Sequence, residues 1–89
     1  MITKEMTITN KSGLHARPAS LWVQMASQYK SSIKIKANNS EVDGKSILGI
    51  LSLGLSSGSQ FQLTVDGEDE QQAAESLETL INNLENQGE

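Results

Sequence analysis

The only histidine, the only arginine and the only proline of the chain fall within four consecutive residues, His15-Ala16-Arg17-Pro18. Gly13 just upstream gives the backbone freedom for a sharp entry, and Pro18 suits a first helical turn, where its missing N–H costs little. His15 then stands at a helix N-terminus. There the backbone N–H groups of Ala16 and Arg17 have no carbonyl one turn back, and the aligned peptide dipoles attract an anion. Arg17 adds a guanidinium fork that matches phosphate oxygens. Imidazole has an ordinary pKa of about 6.5, so near neutral pH it offers a nucleophilic nitrogen. Such a histidine can take up a phosphoryl group and, because an N–P bond is labile, pass it on. The same residues also describe a surface or capping histidine beside a helix-starting proline, and local physics does not choose between the two.

The elements that would hold this segment are short and well punctuated. Ile2, Met6 and Ile8 alternate with polar residues and predict a first strand, although Lys4 interrupts its apolar face. Residues 10–13 are turn chemistry. Ala19, Trp22, Val23 and Ala26 recur at helical spacing over 16–27, with Leu21 and Met25 widening the stripe. Trp22 is expected in the core with its ring N–H near the surface. Ile33, Ile35 and Ala37 alternate with Lys34 and Lys36, and Asn38-Asn39 suits a tight hairpin into a short strand over 40–42. Ser46 is a good N-cap for a short apolar helix over 46–53, and a Gly/Ser-rich loop follows. Phe61, Leu63 and Val65 alternate in a fourth strand. Ala73, Leu77, Leu80, Ile81 and Leu84 form the apolar face of a last helix, with Glu68-Asp69-Glu70 where its dipole favours negative charge. The order β-α-β-β-α-β-α, with one polar face on every strand, predicts an α+β open-faced sandwich: a four-stranded antiparallel sheet covered on one face by three helices.

Composition narrows the function classes. With 89 residues the chain is expected to form one domain, 1–89. The absence of cysteine removes disulfides, thiol nucleophiles and thiolate metal sites, and a single histidine leaves no set of imidazole ligands, so no metal and no cofactor is expected. The net charge is −4 and the six lysines are scattered, which argues against direct nucleic-acid binding. No apolar run approaches membrane-spanning length, and the first residues lack the apolar core of a signal peptide. A cytoplasmic protein is expected, without membrane insertion.

Gly13-Leu14-His15-Ala16-Arg17-Pro18-Ala19 resembles the active-site signature of HPr, the histidine-containing phosphocarrier family of the phosphoenolpyruvate-dependent sugar phosphotransferase system. Residues 45–54, Lys45-Ser46-Ile47-Leu48-Gly49-Ile50-Leu51-Ser52-Leu53-Gly54, resemble the family's regulatory serine segment in its Gram-positive form, and Gly67-Glu68-Asp69-Glu70 also matches. The resemblance spans essentially the whole chain, in the family's order and spacing. Leu48 and Leu51 stand where many relatives carry methionine, and Asp43-Gly44 before Lys45 is a departure that bears on kinase docking.

The resemblance implies a function residue by residue. His15 would accept phosphate through Nδ1 from phosphorylated enzyme I and donate it to the IIA domains of sugar permeases. Arg17 would contact the phosphoryl oxygens, helped by the N–H groups of Ala16 and Arg17, while Ser12 serves the site or only its turn. Ser46 would be the target of an ATP-dependent HPr kinase/phosphorylase, adding about −1.5 to −2 charges beside the docking patch and opening a route to a catabolite control repressor. An ordinary N-cap role also accounts for a serine there. A shallow apolar patch of Ile47, Leu48 and Leu51, rimmed by Ser20 and Gln24, would receive partners, with Ile50 and Leu53 in the core. With no second catalytic group beside His15, the chain is expected to be a transfer intermediate rather than an enzyme, and a monomer. The alternatives are a corepressor paralogue, which lacks the active histidine, a nitrogen-regulatory phosphocarrier, or a binding module unrelated to phosphate.

Overall fold

The computed structural model describes residues 1–84. The elements are β1 (Ile2–Thr7), α1 (Ala16–Ala26), β2 (Ser32–Ala37), β3 (Ser40–Asp43), α2 (Ile47–Ser52), β4 (Gln60–Asp66) and α3 (Glu70–Asn83). The four strands form one antiparallel sheet in the order β1-β4-β2-β3. Register follows from the alternation of apolar residues. Ile2 faces Val65 and Val65 faces Ile33, while Leu63 faces Ile35 and Ile35 faces Val42. A slip of one residue would turn every one of these side chains to water. The sequence-predicted element order and the open-faced sandwich are both observed.

Lys4 occupies the core-facing row of β1, opposite Leu63. Its stem lies along that row while its Nζ reaches Glu78 Oε1 of α3 at 2.9 Å, so the interruption in the apolar pattern is a lysine spanning from the sheet edge to a helix. Ile8 is fully buried but lies one residue beyond β1, because the partner strand begins at Gln60 opposite Thr7. Its backbone bonds instead to the loop before β4, through Ile8 N–H to Ser59 O at 2.8 Å and Gly58 N–H to Ile8 O at 2.7 Å. The β2–β3 hairpin turns on Asn38 (φ 53) and Asn39 (φ 65), the left-handed pair that a two-residue turn matching strand twist requires.

The core lies between the sheet and the helices. Met6, Ile33, Ile35, Phe61, Leu63 and Val65 project from the strands against Ala19, Trp22 and Ala26 of α1, Ile50 of α2, and Ala73, Leu77 and Ile81 of α3. Trp22 corrects the expectation for its ring. It is fully buried, its edge meets Phe61 at a centroid distance of 5.8 Å, and its Nε1–H donates to the Gly44 carbonyl at 3.0 Å. The indole N–H is therefore a buried tie between α1 and the segment leading into Ser46. Gly44 itself lies against β2, where a Cβ would meet Ile33 Cγ2 at 2.5 Å. The departure at Asp43-Gly44 thus has a packing role.

Asp69 is the N-cap of α3, yet its carboxylate does not cap that helix. It accepts from the Lys30 N–H at 2.9 Å, the Ser31 N–H at 3.0 Å and the Ser31 hydroxyl, tying the α1–β2 connection to the start of α3. The Ser31 hydroxyl, followed by the backbone N–H of Lys30, holds the Asp69 carboxyl below its ordinary pKa. A depressed carboxylate stabilises the fold above its unfolded pKa of about 3.9, and that contribution is lost as pH falls through the lower folded value. Unfolding measured against pH should therefore show an acid loss of stability below about pH 4 that is shallower in Asp69→Asn. Equal slopes in the two proteins would refute the assignment.

Candidate functional site

His15 is the N-cap of α1, with extended backbone (φ −85, ψ −166), and its carbonyl receives the first helical bond from the Ala19 N–H at 2.9 Å. Ala16, Arg17 and Pro18 are then the first three helical positions. Pro18 contributes no N–H, so the helix-start donors are those of Ala16 and Arg17, to which the helix itself offers no acceptor. The first turn holds no acidic side chain to cancel the positive end of the dipole. His15, Ala16 and Arg17 are exposed, whereas Leu14 and Pro18 on either side are buried. The three exposed residues thus stand between two apolar anchors, and the His15 side chain does not cap the helix.

The backbone upstream is built to deliver that presentation. Gly13 has a φ of +70, and a Cβ there would lie 2.6 Å from the Leu55 carbonyl and 2.7 Å from Ser56 Cα. Only glycine fits both the conformation and the space. Asn10, buried in the turn, donates through Nδ2 to Gly13 O at 2.8 Å, and Leu14 N–H donates to Leu55 O at 2.9 Å. Asn10 and Leu55 are the residues that sequence reading missed. The signals were an Asn three positions before a turn glycine and one apolar residue inside a Gly/Ser-rich run. Ser12 is exposed in the same turn.

Ser46 caps α2, its Oγ accepting from the Gly49 N–H at 3.1 Å, an interaction worth about 1 kcal/mol. The helix it starts buries Ile50 and leaves Ile47, Leu48 and Leu51 exposed, Leu48 to 77%. Leu53 is buried at the end of α2, as expected. Apolar side chains this exposed do not come from core packing, so the three form a surface patch. α2 packs on α1, and Ser20 (half-buried) and Gln24 (exposed) follow Ala16 at successive four-residue steps along α1. Among the described residues, no helix is long and apolar enough to cross a membrane.

Residues 2–83 match the family model for the PTS HPr component phosphorylation site. The chain belongs to the PTS-HPr family. This is a family of phosphocarriers of the phosphotransferase system. The chain is 44% identical over 84 residues to the phosphocarrier protein HPr of Lysinibacillus sphaericus, covering 94% of this chain and 96% of that one. The crystal structure of HPr from Thermoanaerobacter tengcongensis superposes with a TM-score of 0.92 at 44% identity, covering 97% of each chain. Crh of Bacillus subtilis, a catabolite-repression protein crystallised as a domain-swapped dimer, superposes with a TM-score of 0.74 at 37% identity over 93% of this chain and 95% of that one.

Proposed function

We propose that residues 1–89 act as a single domain that receives a phosphoryl group on His15 from phosphorylated enzyme I and delivers it to IIA domains of sugar permeases. The observation that carries the reading is the exposed His15 at a helix start whose donors are the Ala16 and Arg17 N–H groups, with an exposed arginine, Arg17, and no acidic residue in the same first turn. In the transfer, the lone pair of His15 Nδ1 forms a bond to phosphorus while the bond from phosphorus to the donor breaks. The three phosphoryl oxygens then meet N–H donors, a guanidinium and the positive end of a dipole. Delivery is the same displacement in reverse, with the acceptor's nucleophile on the partner. The chain is therefore a transfer intermediate whose chemistry is completed in its partners' active sites. We place it in the cytoplasm, where phosphoenolpyruvate and enzyme I are found.

Incubation with phosphoenolpyruvate and enzyme I is expected to add the mass of one phosphoryl group, which acid treatment removes. No gain, with the same enzyme I active on another acceptor, overturns the reading.

The exposed side chains of Ile47, Leu48 and Leu51 serve in this reading as the docking patch, with Ser20 and Gln24 as its polar rim. Ile47→Asp should raise the concentration of this chain needed for half-maximal transfer from enzyme I by about tenfold, at unchanged thermal stability, since a charge inside an apolar contact typically costs about 1–2 kcal/mol. Unchanged transfer kinetics would remove Ile47 from the patch. Ser46 is the regulatory position, phosphorylated by an HPr kinase/phosphorylase. A dianion there would set like charges against an acidic partner surface and offer a catabolite control repressor a new contact. A corepressor role without transfer is the second reading, favoured by the likeness to Crh; the presence of His15 supports the carrier instead. We take the working form as a monomer, since a carrier must offer one site to successive partners, and gel filtration with light scattering distinguishes it from a swapped dimer such as that of Crh.

A further inference from the structure

The residues that follow α2 lie against the turn that leads into His15, at Gly13 and Leu14. Gly54 N–H bonds to Leu51 O at 3.2 Å and ends the helix, and the Leu55 carbonyl then takes the Leu14 N–H at 2.9 Å. Two further backbone bonds, between Ile8 and the Gly58-Ser59 pair, lace the same segment to the strand that leads into the His15 loop. Gly13 and Leu55 are in such close approach that a shift of one displaces the other. The conformation of residues 54–59 therefore decides where Leu14, and the His15 backbone next to it, stand.

That segment is exposed apart from Leu55 and the half-buried Ser59, and its glycines at 54 and 58 meet nothing with the side they turn outward. Apart from the buried Leu55 side chain and the backbone bonds to Leu14 and Ile8, packing does little to fix the shape of residues 56–59. A serine cross-link adds to these: Ser56 N–H donates to Ser59 Oγ at 3.1 Å, the two hydroxyls lie 3.3 Å apart, and Ser59 N–H returns to Ser56 O at 2.9 Å. The bond from Ser56 N–H fixes the peptide unit whose oxygen is the Leu55 carbonyl. One side chain, Ser59, thus orients the acceptor that holds Leu14.

We propose that Ser59, with Ser56, is a positioning residue for His15, acting through the Leu55 carbonyl on the backbone that presents the imidazole. The proposal rests on His15 being the phosphoryl acceptor for its kinetic consequence, but not for its structural one. Because the chain has one histidine, its ring can be read alone by ¹H–¹⁵N correlation. Ser59→Ala is expected to shift the ring resonances and to lower the rate of His15 phosphorylation at saturating enzyme I about fivefold, the equivalent of one hydrogen bond. The concentration for half-maximal transfer should not change, and Ser59→Thr, which keeps the hydroxyl, should restore both readouts. Ring resonances unmoved in a folded Ser59→Ala protein overturn the proposal, as does failure of the threonine to restore them. If Ser59→Ala does not fold, Ser59→Cys, similar in shape but a weak acceptor for the Ser56 N–H, is judged by the same ring shift. If the unmodified chain takes no phosphate from enzyme I, the carrier reading fails while the ring shift and its rescue still decide the positioning.

Discussion

Replacing His15 by alanine is expected to abolish acid-labile phosphorylation by enzyme I and phosphoenolpyruvate completely while leaving the fold intact. The two halves of this result have separate physical causes. The first is that the chain has no other imidazole, so no second phosphoimidazole can form. The second is that His15 is exposed and its side chain does not cap α1, so the helix loses no capping bond when the ring is removed. The stability change should stay within about 0.5 kcal/mol, the usual range for surface positions. Intact mass before and after acid treatment, with a thermal melt of the same sample, reads both. Retention of an acid-labile phosphoryl group by the variant would place the acceptor elsewhere.

Trp22→Ala should have the largest effect on stability. The ring is fully buried, packs edge-on against Phe61, and supplies the donor to the Gly44 carbonyl. Truncating a buried aromatic side chain costs about 3–5 kcal/mol through lost transfer energy and the cavity left behind. Against a total of about 5–15 kcal/mol for a domain, the loss is a large fraction. In a chain of this size the melting temperature should fall by at least about 12 °C. Trp22→Phe should fall between the two, because it keeps the contact with Phe61 but leaves the buried Gly44 carbonyl without its donor. Circular dichroism melts decide the matter, and a loss below about 1 kcal/mol in Trp22→Ala would mean that the ring is not an anchor. Because this ring joins α1 to the segment before Ser46, the alanine variant should also loosen the platform that holds His15.

Much of the site is legible in the residues themselves. A histidine before an Ala-Arg-Pro helix start needs no tertiary partner to be placed at a positive helix end, because backbone geometry and proline's fixed φ do that locally. The cap at Ser46 is local too, spanning three residues to Gly49. The helix that follows it was also readable in part. Six residues carrying four large apolar side chains cannot bury all of them, so a surface patch with Ile50 inward follows from helical periodicity.

Other features have no local signal. Asp69 stands where sequence makes it a helix cap, yet its carboxylate is spent on Lys30 and Ser31, far away in the chain. Lys4 breaks the apolar alternation of β1 with no local cause; its partner, Glu78, is on the last helix. The Trp22 indole has its N–H inside because the Gly44 carbonyl is brought to it across the fold.

The sequence by itself determined the element order, the strand faces, the helix starts and the residue proposed for the chemistry, since each rests on spacing and backbone preference within a few residues. Only the tertiary structure decided how the His15 loop is held. Gly13, Leu14 and Ile8 meet Leu55, Ser56, Gly58 and Ser59 through backbone groups, which every residue possesses, so side-chain identity along the chain cannot reveal which of them will pair.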